Sequence, residues 1–157
     1  MHGFLARDEL LIAALSESLA RTGRARLRAH GGSMWPWIRG GDELLVEVVG
    51  MESLRCGHVV LFARDARLFA HRVVRGPAKT GEIILKGDAL SDEDPPVGAR
   101  HLLGRVVALR RGKRTIRLDT LPQAALAQVC ASLTRISGLW TPVAMRLARR
   151  LRRAAQR

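Results

Sequence analysis

A serine, a histidine and a run of acidic residues in this chain have the types and settings that acyl-transfer chemistry requires. Ser33 lies in the stretch His30-Gly31-Gly32-Ser33-Met34-Trp35-Pro36-Trp37-Ile38-Arg39-Gly40-Gly41-Asp42. Gly31 and Gly32 admit backbone conformations closed to other residues. Pro36 fixes its own φ and pushes Trp35 toward extended geometry. The expected result is a stiff, irregular turn that holds a hydroxyl at the mouth of a β-structure. His71 sits in the middle of the strand-like run Phe69-Ala70-His71-Arg72-Val73-Val74. The run Ile83-Ile84-Leu85-Lys86-Gly87-Asp88 continues into Ala89-Leu90-Ser91-Asp92-Glu93-Asp94-Pro95-Pro96, a strand that breaks into an acidic loop. A serine nucleophile needs a base to take its proton, and a histidine base needs an acceptor that fixes its tautomer and stabilises its cation. One Ser, one His and several Asp at the edges of different strands supply that set, and chain order is no obstacle because such triads are defined by geometry. Taken singly, Ser33 also reads as an ordinary turn serine and His71 as a strand histidine bonded to a neighbour.

The elements that must position these groups are mostly strands. Residues 25–29, 44–49, 58–63, 68–75, 82–86, 104–109 and 115–118 have strand character, divided by the turn signals Gly40-Gly41, Arg64-Asp65, Gly76-Pro77, Asp94-Pro95-Pro96 and Arg111-Gly112-Lys113. Short strands at this spacing predict a mainly β fold, a small and mostly antiparallel coiled sheet or barrel. Ahead of it, Asp8 reads as an N-cap and Gly23 as a stop, with Leu11, Leu15 and Leu19 repeating every four residues. That predicts an amphipathic helix of about four turns, far short of the ~20 apolar residues of a membrane span. The N-terminus has no basic segment ahead of an apolar one, so no signal peptide is expected. The organisation read from this pattern is a helix in 1–24, a β domain in 25–119 and a helical tail in 120–157.

The tail changes character. Residues 121–157 hold seven Arg and no Asp or Glu. Val143, Leu147 and Leu151 form one stripe, and Arg146, Arg149, Arg150 and Arg153 another, which predicts a basic amphipathic helix over 141–157 suited to an anionic membrane surface, an acidic partner or nucleic acid, or else packed on the domain with its arginines in solvent. The whole chain carries a net charge of +13, which attracts polyanions and makes nucleic-acid binding the main non-enzymatic alternative. Against it, Tyr is absent, aromatics are 4%, and no helix-turn-helix or RNA-binding motif is visible. Trp35 and Trp37, flanking Pro36, offer either a stacking surface for bases or an apolar wall for a peptide. Cys56 and Cys130 match no metal or redox spacing and read as buried free thiols. No metal and no cofactor are expected, since the chain lacks a His/Cys cluster and a Gly-rich phosphate loop. At 157 residues and 47% hydrophobic, the chain has room for a single folded core.

Several of these segments, in this order, resemble the signal peptidase family. They are Ser33-Met34-x-Pro36 with Gly41-Asp42, then Gly57-His58-Val59-Val60-Leu61-Phe62, His71-Arg72-Val73, Lys86-Gly87-Asp88 with Asp94-Pro95, and Leu103-Gly104-Arg105-Val106-Val107. The resemblance covers about residues 28–110. It is to the eukaryotic, archaeal and spore-former branch, which uses Ser and His; the common bacterial branch has Lys where this chain has His71. It implies Ser33 as nucleophile, His71 as general base and Asp94 as the carboxylate that orients it, with Asp88 structural and Met34 and Pro36 supporting the turn. It implies cleavage of a leader or precursor peptide, for which Trp35 and Trp37, placed beside the nucleophile, would form the apolar wall.

Three features depart from the family pattern. The family often has Ser or Thr two residues before the nucleophile, where a hydroxyl helps bind the oxyanion; this chain has Gly31, which leaves backbone N–H groups for that task. The family's second Gly-Asp reads Gly57-His58 here, and His58 is expected at the surface. The usual apolar membrane anchor is absent from this sequence. The expectation is thus a serine endopeptidase in the cytoplasm, with the tail as a peripheral membrane contact. The alternatives are a basic nucleic-acid binder or a non-catalytic peptide-binding module on the same fold.

Overall fold

The computed structural model describes residues 2–77 and 80–118. Helix α1 runs from His2 to Thr22, so it begins ahead of the expected cap at Asp8. It ends where expected: Gly23 has φ +70°, and its N–H donates to the Leu19 carbonyl at 2.8 Å. This is the left-handed helix stop for which glycine is favoured. Leu15 and Leu19 are buried, whereas Leu11 is 47% exposed. The expected three-leucine stripe is therefore shorter by one turn, because an apolar repeat is buried only where a partner surface lies beneath it. That surface belongs to the strands β1 and β4 described next.

Eight strands follow among the described residues: β1 Arg24–Arg28, β2 Glu43–Glu47, β3 Val59–Arg64, β4 Arg67–Arg75, β5 Glu82–Lys86, β6 Val97–Gly98, β7 Leu102–Arg111 and β8 Arg114–Arg117. Every pairing is antiparallel. The order is β1-β2-β7-β3-β4-β5-β6, with β8 also on β7, and the sheet does not close into a barrel. Seven strands lie within two residues of their sequence-based positions. The short β6 was not anticipated, because it emerges from the Pro-rich acidic loop. The β3–β4 hairpin turns on Asp65 and Ala66, both with positive φ. Such a two-residue turn matches the right-handed twist of the flanking strands.

Side-chain alternation along the strands builds two cores, one on each face. Val59 and Leu61 of β3 join Leu15, Leu19, Ala25, Met34, Ile38, Leu44, Val46, Val106 and Leu109. Val60 and Phe62 of the same strand join Leu54, Val73, Ile83, Leu85 and Val97. Burying both faces makes β3 the centre of the fold.

Two expectations are corrected here. Cys56 is exposed rather than buried, and its Sγ–H donates to the Val74 carbonyl at 3.2 Å. His58 is buried rather than at the surface, because it continues the inward-facing register of Val60 and Phe62. Its Nδ1 accepts the Arg55 N–H at 3.2 Å. Burial, with help from Arg105 and Arg55, holds its pKa below the usual histidine value. A histidine that is harder to protonate folded than unfolded contributes stability that is complete above the unfolded value of about 6.5 and falls as pH drops below it. The melting temperature is therefore expected to fall between pH 7 and pH 5, and His58→Gln to flatten that slope. A wild-type slope retained in the variant would assign the effect to other groups.

Cys130, the helices of 120–157 and the basic stripe of 141–157 lie outside the described residues. No described helix is long and apolar enough to cross a membrane.

Candidate active site

Ser33 is carried by the loop between β1 and β2. The base of this loop is closed by backbone bonds from Ala29 N–H to the Asp42 carbonyl at 2.8 Å and from Gly41 N–H to the Ala29 carbonyl at 2.9 Å. The buried Asp42 carboxylate then ties the loop to the far hairpin. It accepts the Arg39 N–H at 2.8 Å and two bonds from Arg111, at 2.8 and 2.6 Å. Arg111 also donates to the Trp37 carbonyl at 3.0 Å. The Arg111 hydrogen bonds hold the Asp42 carboxyl below its usual pKa, against the opposing effect of burial. Met34 and Ile38 anchor the loop in the first core. Between them the Trp35–Pro36 peptide is cis, and Trp35 and Trp37 are 53% and 39% exposed.

A second segment meets the loop from β5. Ala89 N–H donates to the Ser33 carbonyl at 2.8 Å, and Asp88 N–H to the Met34 sulfur at 3.5 Å. The approach is close: a Cβ on Gly87 would lie 2.8 Å from the Ser33 carbonyl oxygen and 2.8 Å from Leu90. Only glycine fits there without a shift that would move the serine.

β4 supplies the remaining groups on its two faces. His71, on the face of the second core, packs against Phe62 and Phe69 with ring centroids 5.8 and 5.9 Å away. Its Nε2 lies 3.1 Å from Ser33 Oγ and its Nδ1 lies 2.6 Å from Asp94 Oδ2. Asp94 is fixed in turn by its N–H to the Leu85 carbonyl at 2.8 Å. An ionised carboxylate only accepts, so Asp94 places the imidazole proton on Nδ1. Nε2 is left as the acceptor for the Ser33 hydroxyl. The next residue, Arg72, points to the opposite face. It donates to both oxygens of Asp88 at 2.8 and 2.7 Å and to the Gly57 carbonyl at 2.7 Å.

The structure thus brings together Ser33, His71 and Asp94, with Asp88 and Met34 in contact with this region. Pro36 is half-buried in the turn, and the two tryptophans stand exposed on the same loop. Sequence reasoning missed Arg72 and Arg111 as braces. Arg72 had a signal: next to His71 in a strand, it must point to the other face, and a buried Arg needs an acid. Arg111 had none, since nothing in its spacing links it to Asp42. Gly31 has φ +78°, a conformation that a Ser or Thr would adopt only with strain. Among the described residues none accepts the Ser33 N–H. Among the same residues no group of three His, Cys, Asp or Glu is arranged to hold a metal ion.

Arg72 and Asp88 are buried to 4% and 6% side-chain exposure. Removing Asp88 takes from the buried Arg72 both of its carboxylate acceptors, at a cost of about 3–5 kcal/mol. Asp88→Ala is expected to lower unfolding free energy by that amount in urea titration. A loss within ~0.5 kcal/mol would mean that the pair braces nothing.

No family model matches this chain, and no curated protein matches its sequence.

Proposed function

We propose that this protein is a serine endopeptidase of the signal-peptidase type that cuts a leader or precursor peptide through an acyl-enzyme. The observation that carries the reading is the hydrogen-bonded series Ser33 Oγ, His71 Nε2, His71 Nδ1 and Asp94 Oδ2, with separations of 3.1 and 2.6 Å. Each member comes from a different element, and each is held by backbone bonds or by packing. The ordered sequence motifs that resemble the Ser-His signal peptidases fall on these same elements.

In this mechanism Ser33 Oγ attacks the scissile carbonyl carbon as its proton passes to His71 Nε2. The carbonyl π electrons move to oxygen, and the Ser33 N–H is a donor available to that oxyanion. Asp94 stabilises the imidazolium that forms. Collapse of the tetrahedral intermediate breaks the C–N bond, and His71 returns the proton to the leaving amine. Water then attacks the ester, giving its proton to His71, and Ser33 leaves with a proton restored. The exposed Trp35 and Trp37 border the nucleophile and provide apolar walls for side chains beside the cut.

Incubation with a proteome-derived peptide library tests the reading. New peptide termini with wild-type protein, absent with Ser33→Ala, are expected. A library left intact by folded wild-type protein would overturn it.

A further inference from the structure

Among the described residues β1 is an edge of the sheet, pairing with β2 alone, and it runs directly into His30, Gly31, Gly32 and Ser33. Its backbone alternates in direction. Gly23 and Ala29 bond toward the β2 side, through the Gly23 carbonyl to Val48 N–H at 3.0 Å and Ala29 N–H to the Asp42 carbonyl at 2.8 Å. In an antiparallel ladder the residues between them in register, Arg24, Arg26 and Arg28, therefore turn their N–H and C=O groups to the open edge. The Arg24 carbonyl is already taken by the Ser18 and Thr22 hydroxyls at 3.2 and 2.7 Å. Arg26 and Arg28 are left with outward backbone groups, the template to which an extended peptide adds as a new strand.

The side chains of the same residues share one face. Ala25 and Leu27 turn toward the first core, so the three arginines lie on the opposite face. There Arg24 is paired with Glu47 at 2.9 Å. Glu43, cross-strand from Arg28, forms its ion pair with Arg110, and Arg26 faces Leu45. Arg26 and Arg28 are exposed, and no acidic residue among those described forms an ion pair with either.

We infer that the edge of β1 selects substrates with an acidic residue, one intervening apolar residue and a second acidic residue, the two acids set opposite Arg26 and Arg28. This rests on the peptidase reading of Ser33 and deepens it by assigning the substrate class. Side chains directly across a strand pair lie within contact distance, and opposite charges there are favourable while like charges are not. The residue between the two acids falls on the other face, beside half-buried Leu27 and Ala29, where an apolar side chain is favoured. Arg28 precedes Ser33 by five residues, so the Cα atoms of the two lie within about 18 Å of each other.

The test compares wild-type full-length protein with the charge-reversed variant R26E/R28E on one proteome-derived peptide library at low and high salt. Wild-type cleavage sites are expected to be enriched in acid-x-acid at a fixed distance from the cut. Synthetic peptides carrying Glu-Ala-Glu at that distance should be cut roughly fivefold or more faster than those carrying Lys-Ala-Lys. The variant should reverse the order, and high salt should shrink both preferences. Both arginines are exposed, so thermal melting is expected to show a folded variant. Cleavage with no charge preference, or a preference unmoved by the reversal, would overturn the inference and leave the peptidase reading standing. Folded wild-type protein that cuts no peptide would remove the peptidase reading and this inference with it.

Discussion

Ser33→Ala is expected to abolish peptide cleavage while leaving the fold intact. A loss on the order of 10⁴–10⁶ in kcat/KM follows from removing the nucleophile of a triad, because binding and oxyanion contacts alone give only a small residual rate. The fold survives for a local reason. The Ser33 hydroxyl meets His71, but the position of the residue is set by its carbonyl, which accepts the Ala89 N–H. It is set also by Met34 and Ile38 buried on either side of the turn. None of these contacts uses the hydroxyl. Steady-state kinetics beside a thermal melt checks both halves. A variant that cleaves at the wild-type rate would remove Ser33 from the chemistry.

Asp94→Asn is expected to cost about 10⁴ in kcat, and His71→Ala to be as damaging as loss of the serine. The asparagine keeps the size of the side chain but loses the charge, and its amide can present a donor to Nδ1. The imidazole proton then shifts toward Nε2, the atom that must accept from Ser33. His71→Ala also removes a ring packed on Phe62 and Phe69, so His71→Gln serves as the size-matched companion. Because the three groups act as a unit, the double variant Ser33→Ala with His71→Ala should be no worse than either single one. Single-turnover kinetics on a peptide cleaved by the wild type separates chemistry from binding. Full activity in a folded Asp94→Asn protein would reject Asp94 as the orienting group.

The sequence carried the site further than it carried the scaffold around it. Two-residue alternation and clear turn residues placed seven strands, because a half-buried strand writes its burial into every second side chain. Resemblance then singled out Asp94 among several acids, a choice that the residues alone left open. Several features escaped. Arg111 braces Asp42 across 69 positions, and such a long-range pair leaves no mark in local spacing. The strand at Val97–Gly98 is two residues long and sits in a stretch that reads as loop. His58 reads as a surface residue by its polar type, whereas the register set by the inward-facing Val60 and Phe62 places it inside. Leu11 failed for the complementary reason: the helix repeat told which face is apolar but not how far the sheet extends beneath it.

Intact-mass analysis of the full chain after exposure to a fluorophosphonate, followed by peptide mapping, tests the central claim most directly. A Ser33 hydroxyl activated by His71 and Asp94 should give one adduct per chain, mapped to Ser33, absent from Ser33→Ala and strongly slowed in Asp94→Asn. Folded protein that stays unmodified, or an adduct on any other residue, would contradict the assignment of Ser33 as the nucleophile.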